Sequence, residues 1–486
     1  MNLAALLGDP GDEIVVHDAG RTTTARELRA EVERREEELR VSGLVGRTVG
    51  VRLPNRAAVI AAWFAIWRTG GAFVPLNPLA PDAEAERAAV RTGVAGVIDA
   101  TGLSRRRPAV ERSSGADDAI VQFTSGTTGE PKAVVLGHST VIELLDRVIG
   151  SLRTDGAGRA RMPNLVPVSC SLWAGIYQVL FAFRLGVPVV LMDRFTPPEF
   201  ARLVGEHGIR SSVLPPAAMV MLLHDPAVTS LAPLRYVRSV SAPLSPVHAR
   251  RFHERFGIAV LNGYGQTELG GEAVGWSAAD WKVHGHDKLG SVGRPHAGFR
   301  LRIRGDDGEL LGVDEVGELE IVSGAALPPA DAAMEGRVTD DGWLRTGDLA
   351  RIDADDFVWI CGRIGAMINR GGLKVSPDEV EEVLRGHPDV DDVAVAARTD
   401  DRLGEVPWAW VVLRSGARFD PDDLNRWCRE RIAAYKVPAG WSTLSELPRN
   451  EIGKVVRGDL VRAEDARPGG AGRPQSASAR PSGPGR

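Results

Sequence analysis

The chain has 486 residues, of which 43% are apolar and 25% charged, and its net charge is −5. This length predicts two or more domains, and the interspersed charges exclude the electrostatic footprint of a protein that binds nucleic acid or an anionic membrane. The first residues lack the basic segment of a secretory signal, and the longest apolar run, residues 57–67, is too short to span a bilayer. Three widely separated cysteines show no metal-binding spacing, so a cytoplasmic protein is predicted.

Strand and helix patterns alternate through the first part of the chain. A hydroxyl-capped helix is predicted between Thr22 and Gly43, followed by the strand "TVGVRLP", the buried helix "RAAVIAAWFAIWRTG" and the strand "AFVPLNP". The alternation continues to about residue 270, for example in "VPVVLM", "PPEFARLVGEHG" and "SSVLPP". This order is typical of layered α/β folds.

The later part of the chain changes character twice. Residues 290–360 contain short strands and turns that predict a β-rich subdomain, and an α+β unit begins after "WICGR". Beyond residue 463 the sequence is mostly Gly, Pro, Ser, Arg and Ala, which predicts disorder. The predicted class is therefore α/β, with an N-terminal domain of residues 1–361, a C-terminal domain of residues 362–463 and a disordered tail of residues 464–486.

The segment "FTSGTTGEPKAVV", residues 123–135, lies between two apolar strand patterns. Its glycines permit close backbone approach, and its hydroxyls and lysine supply donors and a cation, a combination that suits a polyphosphate. The order differs from the Walker loop, because Pro131 precedes Lys132 and Ala133 follows it. A hydroxyl-rich hairpin that binds nothing is the alternative interpretation.

Four further blocks follow this segment: "NGYGQTE" at residues 262–268, "GWLRTGDLARID" at 342–353, "GRIGAMINRGGLKVSPDEVE" at 362–381 and "LPRNEIGKVVRGDL" at 447–460. In this order and spacing, the five blocks resemble the acyl-adenylate-forming superfamily, over about residues 20–463. That superfamily includes acyl-CoA synthetases, adenylation domains of nonribosomal peptide synthetases and beetle luciferases. The resemblance implies an ATP-dependent acid ligase that forms an acyl-adenylate, releases pyrophosphate and passes the acyl group to a thiol. The thiol is that of coenzyme A or of a phosphopantetheine arm.

The resemblance also implies roles for residues of the N-terminal domain, which would bind AMP. Tyr264 would lie against adenine, Thr267 would contact the α-phosphate, and Glu268 would hold Mg²⁺. An ordinary core tyrosine and a solvated glutamate are the alternatives. The phosphate loop and the remaining nucleotide contacts would comprise Thr124, Ser125, Gly126, Thr127, Thr128, Gly129, Lys132, Ser241, Ala242, Pro243, Gly263 and Gly265.

The resemblance implies further roles near the end of the N-terminal domain and in the C-terminal domain, which is small and mobile in that superfamily. Asp348 would accept the ribose hydroxyls, Arg363 would make a second ribose contact, and Lys454 would be the catalytic lysine that bridges the carboxylate and the α-phosphate. A turn aspartate and a surface lysine are the alternatives. The domain would rotate about Gly365, where the superfamily usually has Asp or Lys. The loop that lines the thiol channel would contain Gly371, Gly372 and Lys374.

The predicted acid pocket departs from the superfamily pattern in two places. The segment "VPVSCSLWAG" has no His, Asp or Asn around Ser169–Ser171, so the ammonium of an α-amino acid would lack a partner. Val240 and Ser241 replace two glycines that are usual beside the adenine and acyl sites. The added volume predicts a small or aryl acid.

Several alternatives stay open at this point. "HGHD" at residues 284–287 resembles a metal cluster, Cys170 could be a nucleophile rather than a pocket-lining residue, and Trp63 with Trp67 fits a core better than a ligand cage. The chemistry could instead use a non-acyl oxyanion such as nitrite, or the chain could be a degenerate nucleotide-binding protein. Because a disordered tail follows the last domain, any acyl carrier is expected to be a separate protein.

Overall fold

The computed structural model describes residues 2–106, 113–124, 132–154, 162–240, 242–266, 269, 271–323, 336–449 and 454–465. Contacts divide the chain into two units. The first comprises residues 1–315, 319–346 and 352–359, and the second comprises residues 316–318, 347–351 and 360–486. The domain limits expected from the sequence stay a prediction, and the expected tail lies outside the described residues from residue 466 onward.

The elements of the N-terminal third alternate as the sequence pattern predicts. They are β1 (Ile14–Asp18), β2 (Arg21–Thr24), α1 (Ala25–Val41), β3 (Thr48–Val51), α2 (Ala57–Arg68), β4 (Ala72–Pro75), α3 (Asp82–Arg91), β5 (Gly96–Asp99), β6 (Gly102–Arg105), β7 (Asp118–Thr124), β8 (Lys132–Gly137) and α4 (His138–Thr154). Thr24 and Glu27 cap α1 reciprocally, each side chain binding the other residue's backbone N–H, which fixes where this helix begins.

The middle of the chain continues the alternation. It contains β9 (Asn164–Val166), α5 (Trp173–Leu185), β10 (Val189–Leu191), α6 (Pro197–Glu206), β11 (Ser211–Leu214), α7 (Pro216–His224), β12 (Tyr236–Ser239), α8 (Pro246–Phe256), β13 (Ala259–Gln266), β14 (Gly271–Gly275) and α9 (Ala278–His284).

Strands dominate the next stretch, and an α+β arrangement follows it. The elements are β15 (Arg294–Pro295), β16 (Phe299–Arg304), β17 (Gly317–Ser323), β18 (Leu344–Ile352), β19 (Val358–Arg363), β20 (Ile368–Arg370), β21 (Leu373–Val375), α10 (Pro377–Arg385), β22 (Val390–Asp400), β23 (Gly404–Leu413), α11 (Pro421–Arg429), β24 (Gly440–Leu444) and α12 (Arg457–Asp465).

The strands form five sheets, and these layers confirm the predicted α/β class. Their orders are β2-β1-β10-β9, β6-β5-β3-β4-β7-β8, β11-β12-β13-β14-β15, β16-β17-β18-β19 and β21-β20-β23-β22, with β24 paired to β23. Strands β3 and β4 are parallel and entirely buried, which explains why Thr48 is their only polar residue.

Helix α2 shows why the central core forms where it does. Its apolar residues leave it without a polar face, so it is buried all round. Trp63 stacks on Phe73 of β4 with ring centroids 5.3 Å apart, and the Trp67 indole Nε1 donates to the carbonyl of Ala119 at 2.9 Å. Both tryptophans are therefore core residues, as the sequence predicts. No helix in the described part of the chain is long and apolar enough to cross a membrane.

Candidate active site

The predicted phosphate loop connects two strands at a sheet edge. β7 pairs with β8 antiparallel, and the last register pair is Thr124 with Lys132. β7 also runs parallel to β4, so the loop begins at the carboxyl end of a strand in an α/β sheet, the usual position of ligand sites. Residues 125–131, which include Ser125, Gly126, Thr127, Thr128 and Gly129, and the side chains of Thr124 and Lys132 lie outside the described structure.

The predicted adenine contact, Tyr264, is held by a neighbour on its own strand. Gln266 donates from Nε2 to the Tyr264 hydroxyl at 3.1 Å and to the Thr346 carbonyl at 2.9 Å. Arg337 donates from Nη2 to Gln266 Oε1 at 2.8 Å. The sequence motif contains Gln266 without indicating this role, and no motif indicated Arg337. The following residues, Thr267 and the proposed Mg²⁺ ligand Glu268, lie outside the described residues.

The glycines on either side of Tyr264 serve strand packing. A Cβ on Gly265 would lie 1.9 Å from the Gly271 carbonyl oxygen, and one on Gly263 would lie 2.5 Å from the Glu272 carboxyl carbon. Both positions lie where β13 meets β14 with an irregular register after Tyr264. At Gly265 the clash is with backbone, so glycine is required there to bring β14 close, whereas at Gly263 the added Cβ would meet only the end of the flexible Glu272 side chain.

Three polar side chains from this sheet and its edge contact one another: Arg238 of β12, Glu272 of β14 and His296, which follows β15. We call these three residues the Arg238 cluster. Arg238 Nη1 and His296 Nε2 both contact Oε1 of Glu272, the histidine at 2.8 Å. Arg238 Nη2 also donates to the Trp276 carbonyl at 3.1 Å. The pKa of Tyr177 in α5 is raised by burial and by the Glu272 charge, with Arg238 opposing, so α5 lies beside the cluster. No sequence motif indicates the cluster, because its members come from separate elements.

The segment predicted to line the acid pocket is held by Asn55. Asn55 Oδ1 accepts from the Cys170 backbone N–H at 2.7 Å, and Asn55 Nδ2 donates to the Val168 and Met192 carbonyls at 2.9 and 2.8 Å. Burial raises the pKa of the Cys170 thiol to about 12, so this cysteine is neutral and unsuited as a nucleophile. That Cys170 lines the acid pocket stays a prediction.

The turn between β12 and α8 carries three predicted site residues. Ala242 is half-buried and Pro243 is exposed, whereas Ser241 lies outside the described residues. Ser245 ends the turn by accepting from the N–H groups of Val247 and His248 at 3.2 and 3.4 Å, which caps α8.

Within the second unit, the structure brings the two predicted ribose contacts together. The guanidinium Nε of Arg363 lies 3.0 Å from Oδ1 of Asp348, which is buried with 8% of its surface exposed. Asp348 belongs to β18 and Arg363 ends β19, which are neighbours in one sheet. The two residues predicted to contact the ribose therefore lie next to each other.

Lys454 lies near the same pair in the second unit. Burial lowers the pKa of Lys454, and the charges of Arg363 and Arg457 lower it further, while Asp378 and Asp348 oppose the shift. Val455 forms a bridge with Arg449, which anchors the chain next to the lysine. The three residues that the sequence predicted for ribose binding and catalysis therefore share one electrostatic environment.

The predicted hinge and thiol-channel loop are both well defined. Gly365 lies in a short 3₁₀ turn, Ile364–Ala366, and nothing is within 4 Å of a Cβ added there. Gly371 and Gly372 have φ values of 59° and 91° and form the tight turn between β20 and β21, a conformation that requires such residues. Lys374 follows them and is exposed.

One group among the described residues has the spacing of a metal site: His387, Asp389 and Asp423. His387 Nδ1 accepts from the Asp389 backbone N–H at 3.1 Å, so Nε2 carries the proton and donates to Asp423 Oδ2 at 3.1 Å. Both ring nitrogens of His387 therefore take part in hydrogen bonds within this group. The "HGHD" residues form no such group within the described chain.

Sequence profiles of known families match most of the chain. A profile described as AMP-binding enzyme matches residues 5–112 and 99–327, and one described as AMP-binding enzyme C-terminal domain matches residues 379–454. A sulfoacetate–CoA ligase from Cupriavidus necator is 34% identical over 349 residues, which is 71% of this chain and 66% of that protein. A feruloyl-CoA synthase from Amycolatopsis is 31% identical over 479 residues, 92% of this chain and 95% of that protein.

Solved structures agree with these matches. The amide bond synthetase McbA from Marinactinospora thermotolerans is 27% identical with a TM-score of 0.80, covering 95% of this chain and 99% of that one. The o-succinylbenzoate CoA synthetase MenE from Bacillus subtilis, in complex with an acyl-adenylate, is 25% identical with a TM-score of 0.79, covering 92% and 95%. The chain therefore belongs to the AMP-binding enzyme family, the acyl-adenylate-forming superfamily that its five sequence blocks resemble.

Proposed function

We propose that the chain is an ATP-dependent carboxylic acid ligase that forms an acyl-adenylate, releases pyrophosphate and transfers the acyl group to the thiol of coenzyme A. Family membership supports the overall reaction. The observation that carries the residue roles is the shared environment of Asp348, Arg363 and Lys454. The three side chains come from separate segments of the chain. Asp348 and Arg363 are proposed to bind the ribose, and Lys454 is proposed to stabilise the charge that develops during adenylation.

In the first half-reaction, a carboxylate oxygen of the acid attacks the α-phosphorus of ATP while the bond to pyrophosphate breaks. Both reactants are anions, so positive charge and donors must offset the charge that accumulates. Lys454 supplies a cation from partly buried surroundings, where a charge acts more strongly than in water. Thr267 and the loop residues Thr124–Lys132 would supply the remaining donors to the phosphates.

The ribose and the adenine of the nucleotide would be held by further residues. The two carboxylate oxygens of Asp348 match the two ribose hydroxyls, and Arg363 lies beside that carboxylate. The Tyr264 ring would lie against the adenine, and Gln266 fixes its orientation through the hydroxyl.

Mg²⁺ would be held by Glu268 together with phosphate oxygens. One carboxylate in a hydroxyl-rich segment without thiols or imidazoles is a donor set that suits this hard cation. When bound, the ion would neutralise phosphate charge.

The acid is proposed to be small or aryl, and not an α-amino acid. The segment around Ser169–Ser171 carries no carboxylate. The carboxylate of Glu272, whose charge acts on Tyr177 of α5, already accepts from Arg238 and His296. An incoming ammonium would have to compete with both. Two relatives, the sulfoacetate–CoA ligase and the feruloyl-CoA synthase, are named for a small acid and for an aryl acid.

The thiol acceptor is proposed to be coenzyme A, since relatives that match most of the chain are named feruloyl-CoA synthase and 4-coumarate–CoA ligase-like 9. A phosphopantetheine arm on a separate carrier protein is the alternative within the same chemistry. A cytoplasmic location is part of the same proposal.

Substrate-dependent ATP–pyrophosphate exchange tests the proposal. The panel contains short aliphatic, aryl, long-chain and α-amino acids together with nitrite, and active acids are then assayed for product with coenzyme A, a phosphopantetheinylated carrier or a simple amine. We expect exchange with a short or aryl acid and thioester formation with coenzyme A. Exchange with nitrite alone would show that the substrate is a non-acyl oxyanion and not a carboxylic acid. ATP binding without exchange would indicate a degenerate nucleotide-binding protein.

A further inference from the structure

The two residues that follow Lys454 are held by backbone contacts. Val455 bridges to Arg449, and the Val456 N–H donates to the Pro448 carbonyl at 2.9 Å. Arg449 in turn forms an ion pair with Asp392 of β22. These contacts fix the stem from which the lysine side chain extends.

Arg457, the first residue of α12, makes the most extensive of these connections. Its Nε donates to the Val395 carbonyl of β22 at 3.0 Å. Its Nη2 donates to Asp378 Oδ1 at 2.9 Å and to Glu381 Oε1 at 2.7 Å, both carboxylates being in α10. The guanidinium thereby joins three elements of the second unit at one point.

We propose that Arg457 is a positioning residue for Lys454: its guanidinium ties the segment that carries the lysine to α10 and β22, and so holds the ammonium group where adenylation needs it. The inference rests on the proposed function, in which Lys454 acts in adenylation. Three residues of chain span at most roughly 10 Å, so fixing residue 457 confines residue 454 to a small volume.

The geometry requires an arginine in particular. The planar guanidinium directs Nε at a carbonyl and Nη2 at two carboxylates at once, which a lysine ammonium at the same place cannot reproduce. A lysine at position 457 would keep the charge and lose the fork. The two functions of Arg457, charge and geometry, can therefore be separated by substitution.

The electrostatic contacts of Lys454 point to the same residue. The groups that act on it are Arg363 of β19, Arg457 of α12, Asp378 of α10 and Asp348 of β18. Burial contributes most to lowering the pKa of Lys454, and the charges of Arg363 and Arg457 add to it. Removing the charge at position 457 would therefore raise this pKa.

The neighbourhood of Arg457 tolerates its loss. Glu381 Oε1 also accepts from the Val395 N–H at 2.8 Å, and its Oε2 accepts from Arg385 Nη2 at 2.9 Å. The buried carboxylate therefore keeps a cationic partner and a backbone donor when Arg457 is replaced. A folded Arg457→Met variant is the expected outcome, and Arg457→Lys provides a second, milder substitution.

The first experiment measures Lys454 directly and needs no substrate. The intact chain is acetylated with limiting acetic anhydride over a range of pH, and modification of Lys454 is quantified by peptide mass spectrometry. Arg457→Met should move the labelling midpoint to higher pH, whereas Arg457→Lys should leave it near that of the parent. The matched control is Arg462→Met on the same helix, whose ion pair with Asp459 is exposed; it should change nothing.

The second experiment measures ATP–pyrophosphate exchange with the acid that gives the highest rate. Arg457→Met should lose on the order of 10² in rate, because small misplacement of a catalytic group has effects of this size. Arg457→Lys should lose less, and Arg462→Met should match the parent. Conversion of supplied acyl-adenylate to thioester should be unaffected in all three.

The two experiments separate the inference from the proposed function. If Arg457→Met shows the parental labelling midpoint and exchange rate, or if Arg462→Met produces the same changes, the positioning role is wrong. If the parent exchanges with no acid, the proposed function fails, and a parental labelling midpoint in Arg457→Met would still show that Arg457 does not act on Lys454.

Discussion

Removing the Tyr264 hydroxyl tests whether Gln266 orients the adenine contact. Tyr264→Phe keeps the ring and loses the hydrogen bond that Gln266 Nε2 donates at 3.1 Å. One such bond contributes about 1 kcal/mol, which corresponds to about a fivefold rise in the KM for ATP. Gln266→Leu removes three bonds, to Tyr264, Thr346 and Arg337, so its effect on KM has an upper limit on the order of 10²-fold.

The assay is initial-rate ATP–pyrophosphate exchange at varied ATP, with the acid saturating. Tyr236→Phe on the neighbouring strand β12 is the control, because it deletes the same hydroxyl from another half-buried tyrosine of the same sheet. The KM for the acid should stay constant in all three variants. Equal KM values for ATP in Tyr264→Phe, Gln266→Leu and the parent would refute the reasoning, and so would an equal rise in Tyr236→Phe.

The remaining predictions concern the metal, the acid and the pH dependence. Glu268→Gln should retain the fold by circular dichroism and require more Mg²⁺ for exchange; an unchanged Mg²⁺ titration would contradict the metal role. Val240→Gly restores a family-like glycine and should extend the range of accepted acids to bulkier ones. If the variant accepts the same acids as the parent, Val240 does not limit the size of the acid. Because Lys454 acts as a cation and its pKa is lowered in the folded chain, exchange should be full at lower pH and fall as pH rises through that pKa, below the range of an ordinary lysine. Lys454→Arg should move this alkaline limit upward.

Much of the fold follows from local sequence patterns. The capped helix α1, the helix α2, which is apolar up to its last residue Arg68, and the buried strands β3 and β4 form where the pattern predicts, because capping and burial are local requirements. The five motif blocks, taken in order, also point to the correct family, because each is a short contiguous stretch of sequence. The domain limits and the individual roles of the site residues stay predictions.

The sequence could not reveal contacts that depend on distant segments meeting. The Arg238 cluster joins residues 34 and 24 positions apart on three segments, and Arg457 reaches carboxylates 79 and 76 positions away. Neither set has a local pattern, since charged residues at such separations are found in most globular chains. A packed structure is needed to show which of them share one site.

The central claim is that Lys454 serves adenylation and that the second step proceeds without it. The decisive measurement is a single-turnover assay of each half-reaction in Lys454→Ala, with the parent and Gly365→Pro alongside. Loss of one preorganised charge should slow adenylate formation by on the order of 10²–10³, about 3–4 kcal/mol, while supplied acyl-adenylate is converted to thioester at the parental rate. Gly365→Pro, which removes backbone freedom at the proposed hinge, should spare adenylation and slow thiol transfer. Equal damage to both steps in both variants would contradict the account.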